Sequence, residues 1–161
     1  MQIQKKMARR DRLIKEYRHD AYQEWGKWPE PTVCTKCEAF FMNGRWNWGE
    51  APENANKTIC PACKRIKDKY HAGEIILQGD FLKKHYDEIL NLIKNQEKAE
   101  KAEHPMERIM SIDESEKEIV VKTTGVHLAK RIGSAIAKAY KGDLDIQYGD
   151  GEKTIRIVWT R

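Results

Sequence analysis

Four cysteines fall into two matched pairs, Cys34-Thr35-Lys36-Cys37 and Cys60-Pro61-Ala62-Cys63. A Cys-x2-Cys turn aims two thiolates at one point, and two such turns supply the corners of a closed tetrahedral metal site. Zinc suits that donor set. The ligands are all sulfur, no position is left open, and the cysteine spacings that carry iron–sulfur clusters are missing. The pairing also argues against two competitors. A redox Cys-x-x-Cys follows a strand in a thioredoxin-like β-α-β unit, which this stretch lacks, and disulfides belong to secreted chains. One structural zinc ion on Cys34, Cys37, Cys60 and Cys63 is therefore expected. Metal binding then becomes folding energy for a segment too short and polar to hold itself. Four thiolates around zinc leave a doubly negative centre. Lys36, Lys64 and Arg65 flank it and either offset that charge or contact phosphates.

Both knuckles must return to one point, and the residues between them suggest how. Asn43-Gly44 lies between two aromatic runs, the strongest short hairpin signal, because a type I′ turn needs positive φ at both central residues. A two-residue turn there pairs Met42 with Arg45, Phe41 with Trp46 and Ala39 with Trp48. Residues 51–58 read as a polar loop. Upstream, Leu13, Tyr17 and Ala21 repeat at helical spacing over 8–24, and Gly26, Pro29 and Pro31 turn the approach to Cys34 into a stiff linker.

Downstream, Tyr70 to Leu77 is a short apolar strand. Asp80 caps a long helix with Leu82, Tyr86, Ile89, Leu90 and Ile93 on one face. Its tail, Lys94 to Glu103, is nearly free of large apolar residues and reads as an exposed spacer before Pro105. Glu118 to Thr123 alternates as a strand. Thr124 caps a helix from Gly125 to Tyr140 that turns Leu128, Ile132, Ala135, Ile136 and Ala139 inward, and Lys141-Gly142 stops it. Two strands follow, marked by Leu144, Ile146 and Tyr148 and then by Ile155, Ile157 and Trp159. The fold class is α+β: a basic N-terminal helix over 1–24, a zinc ribbon over 25–79, a linking helix over 80–105 and a β-α-β-β module over 112–161.

Charge is concentrated. Lys5, Lys6, Arg9, Arg10, Arg12, Lys15 and Arg18 stand against Asp11 and Glu16, an excess equal to the formal +5 of all 161 residues. Such an arm suits a polyanion, most often nucleic acid, or serves as a solvated tail. Further cations lie on the ribbon, at Lys36, Arg45, Lys64, Arg65 and Lys67, and on the last helix, at Lys130 and Arg131. Trp48 is open between stacking an unpaired base and packing, whereas Phe41 and Trp46 read as the ribbon's own small core. No helix-turn-helix or histidine-containing finger is present, so RNA fits better than duplex DNA. No phosphate loop or nucleophile elbow appears, and His19, His71, His85, His104 and His127 are scattered, so no enzyme is expected. No apolar run approaches a membrane span or a secretory leader, which makes cytoplasm the default.

The strings Arg9-Arg10-Asp11-Arg12-Leu13-Ile14, Pro29-Glu30-Pro31-Thr32-Val33-Cys34 and Gly44-Arg45-Trp46 resemble a bacterial family of zinc-ribbon proteins. Cys60-Pro61-Ala62-Cys63 followed by Tyr70-His71-Ala72-Gly73-Glu74-Ile75-Ile76-Leu77-Gln78 is more distantly similar to a second family. This is the N-terminal half of the archaeal and eukaryotic export adaptor of the large ribosomal subunit, nonsense-mediated decay protein three. That family holds zinc on Cys-x2-Cys knuckles and sits on the large subunit. Its additional cysteine pairs have no counterpart here. The resemblance implies ribosome binding rather than export: a zinc-dependent, ribosome-associated RNA-binding factor at the large subunit or subunit interface, in assembly, dormancy (hibernation) or rescue. The alternatives are a DNA-binding, transcription-related ribbon and a protein-interaction module. No membrane or small-molecule substrate is expected as a partner.

Overall fold

The computed structural model describes residues 28–161. The basic segment over 1–24, with Lys5, Lys6, Arg9, Arg10, Arg12, Lys15 and Arg18, lies outside the described residues. Within them the chain is mixed α/β, with four α-helices and two sheets.

The first sheet grows from the Asn43-Gly44 turn, where φ is 57° and 78°. Both values are positive, as a type I′ turn demands. The turn joins β2 (Phe40–Met42) to β3 (Arg45–Asn47) with Met42 opposite Arg45 and Phe41 opposite Trp46. The ladder stops at Phe40 opposite Asn47, so the expected pairing of Ala39 with Trp48 does not form. Other bonds claim both residues. The Ala39 carbonyl accepts from the Cys34 amide at 2.8 Å, and the Trp48 indole N–H donates to the Lys101 carbonyl at 2.7 Å. The supposed loop 51–58 contains β4 (Asn56–Thr58), which runs parallel to β1 (Thr32–Cys34) and completes the order β3-β2-β1-β4. Helix α1 (Pro61–Asp68) follows. Pro61 occupies its first turn, where no amide is needed, and Lys69 ends it at φ 54° with its N–H on the Arg65 and Ile66 carbonyls.

Sequence pattern alone assigns the next strand, β5 (Gly73–Gln78), to the cysteine-bearing segment. It lies instead at the centre of the second sheet, in the order β6 (Ile109–Glu114), β7 (Glu118–Thr123), β5, β9 (Thr154–Thr160), β8 (Asp143–Gly149), antiparallel to β7 and parallel to β9. Ile75, Ile76 and Leu77 are all buried, the signature of a strand covered on both faces rather than of an edge. A further strand, β6 (Ile109–Glu114), pairs with β7 (Glu118–Thr123). Its register shifts between Ile109 and Ser111, which breaks the alternation that would have marked it. From β5 onward the order is therefore β-α-α-β-β-α-β-β.

The single helix expected over 80–105 is two, α2 (Asp80–Lys84) and α3 (Tyr86–Glu103), broken at His85, whose ring stacks on Phe81 at 4.0 Å. Gly79 (φ 111°), not Asp80, occupies the N-cap, and a Cβ there would lie 2.0 Å from the Arg161 carbonyl oxygen. Nor is α3 a spacer. Ile89 and Ile93 are fully buried, and Gln96 and Glu100 in its polar tail take the guanidinium of Arg131.

Helix α4 (Val126–Tyr140) buries Leu128, Ala129, Ile132, Gly133 and Ile136, while Ala139 is exposed. Gly133 lets the helix approach the sheet closely, since a Cβ there would meet Ile157 Cγ2 at 3.0 Å. Strands β8 (Asp143–Gly149) and β9 (Thr154–Thr160) close the sheet. The main core joins Ile75 and Leu77 to Val121, Ile157 and Trp159 beneath α3 and α4. A second, smaller cluster surrounds the cysteines. No helix among the described residues is long and apolar enough to cross a membrane.

Candidate metal centre

Local backbone geometry fixes each pair of cysteines. Cys34 ends β1; the chain then turns back so that Glu38 (φ 67°) donates its amide to the Cys34 carbonyl at 3.0 Å. Cys60 is the N-cap of α1, where its sulfur accepts from the Cys63 amide at 3.3 Å. The helix start that places Cys60 therefore also places Cys63. Parallel pairing of Cys34 with Thr58 brings the knuckles side by side, and the Thr35 amide extends that ladder to the Thr58 carbonyl at 2.9 Å. The hairpin leads away from the site, and β4 provides the return.

The four sulfurs all lie within 4.8 Å of one another, with Cys37 Sγ and Cys60 Sγ 3.8 Å apart. A tetrahedron of sulfurs about 2.3 Å from a central ion has edges of about 3.8 Å. All four cysteines are free of disulfides, two of them fully buried and two half-buried. The group fits one metal ion.

The surroundings favour the thiolate at Cys34. Backbone amides of Lys36 and Cys60 point at Cys34 Sγ at 3.4 and 3.3 Å. Burial pushes the Cys34 thiol up, but the amides of Cys60, Cys37 and Lys36 outweigh it and bring its pKa down to about 6. Burial dominates at Cys60 and Cys63, whose thiols are pushed up, against the opposing pull of a cation.

That cation is Arg108, from the segment between α3 and β6. Its Nη1 donates to Cys63 Sγ at 3.2 Å, and its Nη2 to Cys37 Sγ at 3.0 Å and to Cys60 Sγ at 3.7 Å. Nε donates to the Pro105 carbonyl at 2.8 Å. The residue is 6% exposed. Burial works against its charge, yet the bonds to Cys37 and Cys63 more than compensate and hold its pKa above the ordinary value. A buried guanidinium without such partners would be strongly destabilising. Trp48 completes the wall, with the Arg108 Cζ 5.5 Å from its ring centre.

The cations expected to offset the centre sit elsewhere. Only the backbone of Lys36 reaches a sulfur; its side chain is exposed. The Lys64 ammonium lies 6.0 Å from the Trp28 ring centre. Arg65 is buried, its guanidinium donating to the Tyr70 carbonyl at 3.2 Å, and so is no open phosphate contact. Arg131 is held by Glu100 at 2.7 Å. Trp48 faces α3 and Arg108. Arg45, Lys67 and Lys130 remain on the exposed surface. Phe41 and Trp46 pack together at 5.6 Å between ring centres, and Trp28 meets Trp46 edge-on at 5.7 Å, a small aromatic core beside the metal centre.

Arg108 is the residue that sequence reasoning missed. It is one of 30 basic residues, and only the fold brings it to the cysteines. Comparison with models of known families, with curated proteins and with solved structures finds no match.

Proposed function

We propose that the four cysteines hold one structural zinc ion, that the first sheet and its knuckles form a zinc ribbon, and that the protein binds RNA on the ribosome. The observation that carries the metal reading is the sulfur tetrahedron with Arg108 laid across three of its corners. Zinc on four thiolates is doubly negative, and the guanidinium cancels part of that charge where water cannot. All four positions are taken by protein, so the site shapes the chain and carries out no reaction. The reading assigns no catalytic step.

The RNA reading rests on charge: the basic segment over 1–18 and the exposed Arg45, Lys67 and Lys130. A ribosome is a large structured polyanion. The resemblances to the bacterial zinc-ribbon family and, distantly, to the large-subunit export adaptor point the same way, and the reading carries a cytoplasmic location with it. Electrostatic binding of this kind weakens steeply with salt. Purified protein is expected to carry one zinc per chain by elemental analysis. It is expected to sediment with ribosomes at low salt and to leave them at high salt or after nuclease treatment. Absence of zinc sinks the metal reading. Failure to sediment with ribosomes sinks the RNA reading.

A further inference from the structure

A cleft of about 470 Å³ opens where α1 runs into β5, away from the cysteines. Lys69, Tyr70 and His71 line it from that junction, Tyr148 from the β8–β9 hairpin, and Glu74 and Arg156 from the sheet. Its size lies in the range of ligand pockets. Tyr148 pairs with Ile155, and Ile155 pairs with Gly73. Strands β8 and β5, on either side of β9, thus lie about two strand spacings, roughly 10 Å, apart. Both rings are unusually open for large aromatics, Tyr70 52% exposed and Tyr148 48%. Tyr70 is nevertheless held in place: Arg65 lies 5.6 Å from its ring centre and bonds its carbonyl. Glu74 anchors two neighbouring side chains, with His71 Nε2 at 3.2 Å and Arg156 Nε at 3.8 Å. Lys69 and Arg156 leave the cleft with a positive balance over that one carboxylate.

We propose that this cleft receives an unpaired nucleotide of a polynucleotide, its base on Tyr70 and Tyr148 and its phosphate toward Lys69 and Arg156. The inference rests on the nucleic-acid reading above and gives it a location that the basic residues alone do not. Aromatic faces beside cations are how unpaired strands are held without sequence readout. A duplex keeps its bases stacked inside and presents no face to such a wall. Glu74 has both oxygens engaged by its own neighbours, so base selectivity is weak.

The test uses the full chain with metal bound, fluorescein-labelled oligouridine and a duplex RNA of the same length, read by anisotropy at low salt. Wild type binds oligouridine more tightly than the duplex. Tyr148→Ala and Tyr70→Ala each weaken oligouridine binding about tenfold, while Tyr148→Phe, which keeps the ring, stays near wild type. Arg156→Gln lowers the slope of log affinity against log salt by about 0.7, one phosphate's worth on a single strand. Oligodeoxythymidine in parallel assigns the source: tighter binding of oligouridine places RNA in the cleft, and equal or tighter binding of the deoxy strand places single-stranded DNA there. Unchanged affinity in both alanine variants overturns the cleft, as does a wild type that binds no oligomer. Ribosome sedimentation of the same preparations then decides the wider reading separately.

Discussion

At the scale of single residues, Arg108 governs the metal centre without being a ligand. Outer-shell partners that orient and neutralise ligands typically change metal affinity by about 10–100-fold when lost, and Arg108→Gln is expected to fall in that range. Competition for zinc against a chromophoric chelator measures it. Arg108→Lys keeps the charge but loses the fork that reaches two sulfurs on one side and a third beyond, so it restores only part of the loss. Full restoration by lysine would mean that charge alone matters. Cys63→Ser, by contrast, removes a corner of the tetrahedron and should abolish tight zinc binding. The cysteine quartet was legible in the sequence because ligand spacing is local and stereotyped. Arg108 was not, because its partnership depends on how α3 returns the chain, and nothing in Pro105-Met106-Glu107-Arg108 distinguishes it from other cations.

At the scale of elements, the start of α4 is held by a distant side chain. Gly125, not Thr124, is the N-cap and offers no side-chain bond. Thr124 instead donates its hydroxyl to the Met106 carbonyl at 2.6 Å and accepts from the Arg108 amide at 2.8 Å. The helix end is covered by Glu107, which accepts from the Leu128 amide at 3.3 Å and lies where a Cβ on Gly125 would fall. Burial pushes the Glu107 carboxyl up, against the lowering effect of the Leu128 amide and His127. A folded pKa above the unfolded one means that the native state keeps a proton which the unfolded chain has already lost. Stability from this group is fully present below the ordinary value of 4.5 and declines as pH rises through the folded value. Glu107→Gln is expected to flatten that decline in melting temperature, measured against pH on metal-saturated protein; an unchanged slope would rule the carboxyl out. Arg131 gives a complementary check. Its partly exposed pair with Glu100 is worth at most about 1 kcal/mol, so Arg131→Ala should scarcely move the melting temperature. Periodicity located α4, β7, β8 and β9 and the hairpin turn. It failed where pattern and environment part: at β6, interrupted by a bulge, and along Lys94 to Glu103, whose polar side chains serve contacts with α4 rather than solvent alone.

At the scale of the whole molecule, the two hydrophobic clusters differ in what sustains them. The larger packs Ile75, Leu77, Ile89, Ile132, Ile157 and Trp159 between sheet and helices and contains none of the cysteines. The smaller consists of Cys34, Cys60 and Ala62, with Cys37, Cys63, Trp46 and Met106 against it. Without an ion its sulfurs contribute little beyond their modest apolar surface, whereas structural zinc contributes about 10–16 kcal/mol of apparent binding at neutral pH. Removal of the metal should therefore be felt unevenly. Hydrogen exchange after strong chelation is expected to show loss of protection from β1 through α1, with β5, β7, β9 and α4 still protected. The boundary should lie at the joint made by Arg108 and by the Trp48 bond to Lys101. Arg108 links both sides, since its amide and carbonyl bond Thr124 while its guanidinium bonds the sulfurs. Some loss of protection should consequently spread to the start of α4, and Arg108→Gln should confine the loss to the cysteine side. Uniform loss along the chain would show instead that the ion sustains one cooperative unit, and no loss anywhere would remove the metal from the account of stability.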